Sequence, residues 1–114
     1  MYEYKIKEIV KMYDGDTITV FVDLGFNTTR LEVLRLARIN APEIRGEERS
    51  AGLASREYLI ERLEAAVNMH KNITIKTYKD HKGKYGRYIA DVFVDGVCIN
   101  DEMVNEGFAE YVNY

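Results

Sequence analysis

Residues 50–68, SAGLASREYLIERLEAAVN, have a helical period in a chain that elsewhere alternates between apolar and polar residues. Ser50 is placed to cap the helix N-terminus, and Asn68 lies where the helix should end. The apolar residues recur at spacings of three and four, as on one face of a helix of about five turns. They are Leu53, Leu59, Ile60, Leu63, Ala66 and Val67. We therefore expect one long helix near the middle of a chain rich in strands.

The stretches on either side of this helix are typical of strands. Asp14-Gly15 favours a tight turn after the first strand, and Pro42 follows the third because proline has no amide proton to donate. A short second helix is predicted over residues 99–107, and Gly107 should end it. The predicted strands are residues 4–13, 17–22, 30–39, 72–78 and 87–94.

This order of elements indicates a mainly β, α+β fold. Five short strands match a five-stranded Greek-key barrel of the OB type, with one helix between strands 3 and 4 and a short C-terminal helix. The length of the chain, residues 1–114, predicts a single domain. Barrels of this type bind nucleotides and oligonucleotides on one face.

Composition excludes several classes of protein. The longest apolar runs are a few residues, so we expect no membrane span. The N-terminus has no basic start followed by an apolar segment, which favours a cytoplasmic location, with a processed secreted form as the alternative. Cys98 is the only cysteine, which rules out an internal disulfide and a thiolate zinc site, and we interpret it as a small buried hydrophobe.

The net charge of −3 hides an uneven distribution. Residues 30–87 carry thirteen Lys or Arg against eight acidic residues, whereas residues 88–114 carry six acidic residues and no Lys or Arg. A polyanion is therefore attracted to the middle of the chain and repelled by its C-terminal segment. This pattern favours a local anion site over a surface that coats nucleic acid.

Two positions in the first half could carry chemistry, and each also has a plainer interpretation. Asp16 begins a strand although Asp is a poor strand former, so it is either an exposed turn residue or the ligand of a hard cation. Alternation places Arg35 in an otherwise apolar row, together with Leu31, Val33, Ala37 and Ile39. A guanidinium there needs an anion, which is either a core carboxylate or a phosphate.

Three loop segments complete the set. Glu43 follows a strand end, where catalytic loops commonly lie, although a loop Glu is usually solvated surface. Residues 84–87, KYGR, form either an exposed basic turn or a site in which Arg87 binds phosphate beside Tyr85. Residues 45–49 form a charged loop, either solvated surface or a lid over DNA.

These candidates match the needs of one reaction. Hydrolysis of a phosphodiester by water needs a cation on the phosphoryl oxygen, a carboxylate on the water, cationic donors on the developing charge and a holder for the substrate. The candidates are, in that order, Asp16, Glu43, the pair Arg35 and Arg87, and Lys84 with Tyr85.

Four segments carry a family resemblance that covers nearly the whole chain. They are Asp14-Gly15-Asp16-Thr17, Arg35-Leu36-x-x-Ile39-Asn40-Ala41-Pro42-Glu43, Lys84-Tyr85-Gly86-Arg87 and Ile99-Asn100-x-x-Met103-Val104-x-x-Gly107-Phe108-Ala109. In order and spacing they resemble the staphylococcal nuclease (thermonuclease) family. The resemblance implies an OB barrel and a Ca²⁺-dependent endonuclease that cleaves DNA and RNA and leaves 3′-phosphates.

The resemblance also implies a calcium site. Asp16 looks like a direct ligand, Asp14 an outer-sphere acid, and Glu43 the carboxylate that reaches the ion through the water it orients or activates. Asn40 stands where the family usually has a second Asp, so one formal charge is missing and weaker calcium binding is expected. Ala41 replaces a Thr but keeps the backbone carbonyl as a ligand.

Substrate contacts are implied in the same way. Arg35 and Arg87 look like the phosphate-binding arginines, and Lys84 and Tyr85 like contacts to a terminal phosphate. Two further aromatic residues lie near the end of the chain, Tyr111 and Tyr114. They could stack on a substrate base, although packing or fraying is the plainer interpretation.

A nuclease acting on DNA or RNA, with no membrane and no obligate protein partner, is therefore the first hypothesis. The main alternative is a nuclease-like barrel that binds nucleic acid or protein without cutting, and Asn40 is its best support. A third is an interaction domain that uses its acidic C-terminal segment on a basic partner.

Overall fold

A computed structural model of the chain describes residues 2–82 and 88–112, with the side chains of residues 79–82 outside that description. In chain order the strands are β1 (Tyr2–Asp14), β2 (Thr17–Asp23), β3 (Thr29–Leu36), β4 (Ile39–Asn40), β5 (Ile73–Lys82), β6 (Tyr88–Val94), β7 (Val97–Cys98) and β8 (Glu110–Tyr111). The α-helices in the described part are α1 (Arg49–Asn68) and α2 (Ile99–Asn105), and a 3₁₀ turn, Gly46–Glu48, leads into α1.

Five of these strands close into a barrel. β1, β2 and β3 pair antiparallel in chain order, β3 pairs with β6 in parallel, and β5 joins β6 to β1 antiparallel. This mixed five-stranded barrel, with α1 between its third and fourth strands, confirms the predicted OB-type fold. The short β4 and β8 form a separate ladder, in which Asn40 lies opposite Glu110.

The core is formed by the inward residues of the barrel and one stripe from each helix. Alternate positions of β2 point inward because side chains change face at every residue of a strand. The fully buried large side chains are Ile18, Leu34, Leu36, Ile39, Leu59, Leu63, Ile75, Ile99, Met103, Val20, Val92 and Val94. The helices thus cover the barrel, and no helix in residues 2–82 or 88–112 is long and apolar enough to span a membrane.

β1 curls around the barrel by means of three register shifts against β2. The shifts fall between Ile6 and Glu8, between Ile9 and Lys11, and between Met12 and Asp14. Each shift adds one unpaired residue, and all three extra residues are exposed: Lys7, Val10 and Tyr13. Bulges of this kind bend a strand and redirect its side chains, and they are common at barrel rims and near active sites.

The sequence predictions were wrong for the start of α1 and for the burial of two side chains. Helix α1 begins before Ser50, because the 3₁₀ turn continues directly into it and Glu48 occupies the N-cap without a side-chain cap. Val67 is exposed, since the buried stripe passes through Ala66 and Val67 lies about 100° further round the helix. Cys98 is partly exposed rather than buried.

The third strand also ends earlier than predicted. It stops at Leu36, and the chain makes a turn at Ala37-Arg38 before the short β4. Arg38 has a φ of 66°, a left-handed conformation that non-glycine residues adopt only when surrounding contacts hold them there. This turn changes which face each following side chain occupies.

Candidate active site

The turn between β1 and β2 places a buried carboxylate against the chain that follows β4. Asp16 is only 6% exposed. Its Oδ1 accepts a hydrogen bond from the Thr17 hydroxyl at 3.2 Å, and its Oδ2 accepts one from the backbone N–H of Ala41 at 2.8 Å. The plainer interpretation, an exposed turn carboxylate, is therefore wrong.

Asp14 lies beside this carboxylate. Its Oδ1 accepts a hydrogen bond from the backbone N–H of Asp16 at 3.0 Å. Burial and the neighbouring Asp16 raise the pKa of Asp14 to about 6. Two carboxylates in one half-buried turn repel each other, and a bound cation relieves such repulsion.

Arg35 connects the turn to β4. Its Nη1 lies 3.4 Å from Oδ2 of Asp16 and donates to the carbonyl oxygen of Leu36 at 2.8 Å, while its Nη2 donates to Oδ1 of Asn40 at 3.1 Å. The Arg35 side chain is only 12% exposed, so this guanidinium is held by three acceptors in a nearly buried position.

The face on which Arg35 lies is not the apolar row that alternation predicted. Leu34 and Leu36 point into the core, whereas Leu31, on the same face as Arg35, is 53% exposed. Ile39 is buried because the turn at Ala37-Arg38 changes the facing of the residues after it. The need for an anionic partner was still predicted correctly, since Asp16 provides it.

The opening turns of α1 support both loops of this site. A Cβ on Gly15 would overlap the side chain of Ser55 and lie 2.8 Å from the Cβ of Ala41, so a close approach requires this glycine rather than the positive φ expected of a tight turn. A Cβ on Gly52 would likewise overlap the backbone carbonyl of Glu43. These contacts fix the turn before Asp16 and the loop that carries Glu43 against one helix.

The remaining predicted residues are placed as follows. Glu43 is exposed, and its carboxylate has no hydrogen bond or ion pair with another residue in the described ranges. The contact recorded for Ala41 involves its N–H and not the predicted carbonyl. The structure places Ile89 of β6 opposite Arg35.

Four predicted residues lie outside the described part of the chain: Lys84, Tyr85, Arg87 and Tyr114.

Tyr111 belongs to an ion-pair network that the sequence did not reveal. Its hydroxyl donates to Oδ1 of Asp101 at 3.0 Å, and the same carboxylate accepts from Nη1 of Arg38 at 2.9 Å. Arg38 also pairs with Asp91 at 2.9 Å, whose other oxygen accepts from the Tyr78 hydroxyl. The hydrogen bond from Arg38 holds the pKa of Asp101 below its usual value.

A buried amide fixes the turn that follows Arg35. Asn100 is completely buried at the start of α2. Its Oδ1 accepts from the N–H of Val92, and its Nδ2 donates to the carbonyl oxygens of Ala37 and Ala90. A polar residue inside an apolar helix pattern was the signal that could have identified this role.

Comparison with known proteins identifies the family of this chain. The sequence model for the family described as staphylococcal nuclease homologue matches residues 33–114, well over half of the chain. The chain belongs to the staphylococcal nuclease family. The matched range does not include Asp14 and Asp16. These two residues are assigned to the candidate site because of their hydrogen bonds in the structure.

A curated relative in the staphylococcal nuclease family shows how far the similarity extends. Its name is Probable staphylococcal-like nuclease CAN1, from Oryza sativa subsp. japonica, and it is 30% identical over 76 residues. These residues make up 67% of this chain but 20% of the relative. The chain therefore spans about one fifth of the length of the curated relative it matches.

The donor atoms at the candidate site are hard oxygens. No group of three or more His, Cys, Asp or Glu side chains suited to a metal forms within residues 2–82 and 88–112. The β1–β2 turn offers instead the carboxylates of Asp16 and Asp14, and β4 offers the amide oxygen of Asn40. Carboxylate and amide oxygens are ligands that Ca²⁺ accepts, and a set with so few charges fits a weakly held ion.

Proposed function

We propose that this protein is a calcium-dependent endonuclease that hydrolyses the phosphodiester bonds of DNA or RNA and leaves 3′-phosphates. The observation that carries the proposal is the convergence of Asp16, Arg35 and Asn40. The guanidinium of Arg35 contacts both of the other side chains, although the three residues come from the β1–β2 turn, the end of β3 and β4. Membership of the staphylococcal nuclease family supports the same conclusion.

Asp16 and the amide oxygen of Asn40 would hold the ion, with Asp14 acting through water. A calcium ion bound there supplies positive charge that stabilises a phosphoryl oxygen. The carboxylate of Glu43 is exposed and has no partner among the described residues, so it is free to orient a water molecule and accept its proton. The charged guanidinium of Arg35 offers paired N–H donors to a phosphate.

Substrate binding at this site requires Arg35 to exchange partners. Its Nη1 now lies against Oδ2 of Asp16, and its Nη2 donates to Oδ1 of Asn40. A cation on Asp16 and Asn40 would compete for the same oxygens and would release the guanidinium towards a phosphate. Ion and substrate would in this way assist each other's binding. Arg87, together with Lys84 and Tyr85, is also proposed to hold the substrate.

A plasmid-nicking assay tests the proposal. Cleavage is expected with Ca²⁺ and not with EDTA, and Glu43→Gln should slow it by about 10²- to 10⁴-fold, the usual contribution of a general base. Glu47→Gln is the matched control, because Glu47 is an exposed acid of the neighbouring 3₁₀ turn. Cleavage that persists in EDTA, or that Glu43→Gln leaves unchanged, would contradict the mechanism.

The second candidate function is a binding module that does not cut. Asn40 favours it, because an amide in place of a carboxylate weakens an ion site of this kind. Oligonucleotide binding without cleavage in Ca²⁺, Mg²⁺ or Mn²⁺ would be the result expected of such a module.

A further inference from the structure

Three exposed side chains form a cluster beside the candidate active site, which we call the Lys11–Tyr13–Arg45 cluster. The Nη2 of Arg45 donates a hydrogen bond to the hydroxyl of Tyr13 at 3.0 Å. The Nζ of Lys11 lies 5.8 Å from the centroid of the Tyr13 ring, within the range of a cation–π contact. One exposed tyrosine thus contacts two basic side chains, Lys11 over its ring and Arg45 at its hydroxyl.

Two members of this cluster lie next to site residues along the chain. Tyr13 is the extra residue of the third bulge in β1 and directly precedes Asp14. Arg45 follows Glu43 by two residues and directly precedes the 3₁₀ turn. The hydrogen bond between Tyr13 and Arg45 therefore joins the loop of the carboxylates to the loop of the proposed general base.

Packing does not account for the cluster. Tyr13 is 41% exposed and is not one of the residues that form the core or pack against it. Within residues 2–82 and 88–112, neither Lys11 nor Arg45 forms an ion pair with a carboxylate. Both charges are consequently free to meet an anion from outside the chain.

We propose that the Lys11–Tyr13–Arg45 cluster is a subsite for single-stranded nucleic acid. The Tyr13 ring stacks on an unpaired base, and Lys11 and Arg45 each contact a phosphate next to that base. Aromatic faces flanked by basic groups provide the stacking platform and the charge that a single strand needs. The inference rests on the proposed function, because the strand held here is the substrate whose phosphate reaches Arg35.

Binding measured without cleavage tests the subsite. Fluorescence anisotropy in EDTA would follow a labelled single-stranded DNA of about ten nucleotides, within the range that one OB barrel covers. Tyr13→Ala should weaken binding by roughly 5- to 100-fold, as expected for the loss of one base–aromatic stack. Tyr13→Phe keeps the ring and should bind nearly as well as the wild type.

The salt dependence of binding distinguishes the contribution of the two basic residues from that of the Tyr13 ring. Lys11→Ala and Arg45→Ala should each reduce the slope of log K against log salt by about 0.7, the value for one phosphate contact on a single strand. Tyr13→Ala should leave that slope unchanged. Lys7→Ala is the matched control, since Lys7 is an exposed lysine at another bulge of the same strand, and it should change neither affinity nor slope.

The outcomes distinguish this inference from the proposed hydrolysis. Wild-type affinity in Tyr13→Ala, a slope unchanged by both basic substitutions, or tighter binding to a duplex of the same sequence would each overturn the subsite, even in a protein that cleaves plasmid. The expected losses in a protein that cleaves nothing would support the subsite and contradict the hydrolysis.

Discussion

Asp16 shows how one side chain can serve both the fold and the site. Its carboxylate accepts the N–H of Ala41 and neutralises the guanidinium of Arg35, so it ties the β1–β2 turn to the chain after β4. The same oxygens are the ones that a cation would use. Removing the carboxylate should therefore lower the stability of the metal-free protein as well as its catalytic activity.

The prediction for stability concerns Asp16→Ala. This change leaves the N–H of Ala41 and a nearly buried guanidinium with fewer acceptors, and we expect a loss of about 1–3 kcal/mol in the free energy of unfolding. Urea unfolding in EDTA measures it, and Glu47→Ala, at an exposed position, is the control with an expected change near zero. Equal stability of the two variants would show that Asp16 has no structural role.

Among the elements, α1 packs closely against two loops of the site. Gly52 lies against the carbonyl of Glu43 with no room for a methyl group. A Gly→Ala change inside a helix normally raises stability by up to about 1 kcal/mol. At this position the sign should reverse, because the new Cβ must push the helix and the Glu43 loop apart.

Gly52→Ala is thus expected to lower both the urea midpoint and the cleavage rate. Ser50→Ala, at an exposed position in the same first turns, should be neutral or slightly stabilising. Comparing the two variants separates the effect of the close helix–loop contact at Gly52 from the effect of helix propensity. A Gly52→Ala protein at least as stable as the wild type would mean that the helix and the loop can separate without cost.

The network around Arg38 couples α2 and β8 to the turn after Arg35. Because the pKa of Asp101 is lowered in the folded state, its contribution to stability is present above pH 3.8, the ordinary value, and is lost as the pH falls through the folded value. Asp101 is 40% exposed, so the contribution should be small, about 0.2–1 kcal/mol.

The test compares the wild type with Asp101→Asn in urea between pH 7 and pH 3. The difference in unfolding free energy should be steady at neutral pH and should shrink as the pH falls below about 4. Glu106→Gln, at an exposed acid just after α2, is the control and should track the wild type. A difference that grows on acidification would have the wrong sign.

Most of the secondary-structure elements were predicted from the sequence, and the wrong or missed ones have physical causes. Period and turn residues located the five barrel strands and both helices because these signals are local. The end of β3 was wrong, since no propensity favours a left-handed Arg38, which its ion pairs with Asp91 and Asp101 hold in place. β8 was missed because its pairing with β4 joins residues far apart in the chain.

The candidate site also has residues that were predicted from the sequence and residues that were missed. Asp16, Arg35 and Asn40 were predicted as one group, and the structure brings their side chains into contact. Their roles in metal and phosphate binding stay predictions. The parts that sequence reasoning missed depend on three-dimensional packing, such as the buried hydroxyl of Ser55, which donates to the carbonyl oxygen of Phe108.

For the whole molecule, the barrel and its coverings bring one site together from distant segments. β3 and β6 are parallel neighbours, α1 supports two loops, and β8 pairs with the strand that carries Asn40. Any ligand that binds this folded arrangement and not the unfolded chain must stabilise it, by about 2.7 kcal/mol at a hundredfold excess over its dissociation constant.

Calcium binding to the wild type and to Asn40→Asp, measured by calorimetric titration, tests the central claim most directly. A second carboxylate beside Asp16 adds the charge that an amide lacks, so Asn40→Asp should bind Ca²⁺ about 10- to 100-fold more tightly and should need correspondingly less calcium for half-maximal cleavage. Asp16→Ala should abolish the binding in both backgrounds. Equal affinity in the wild type and Asn40→Asp, or binding that survives Asp16→Ala, would show that these residues do not form one ion site.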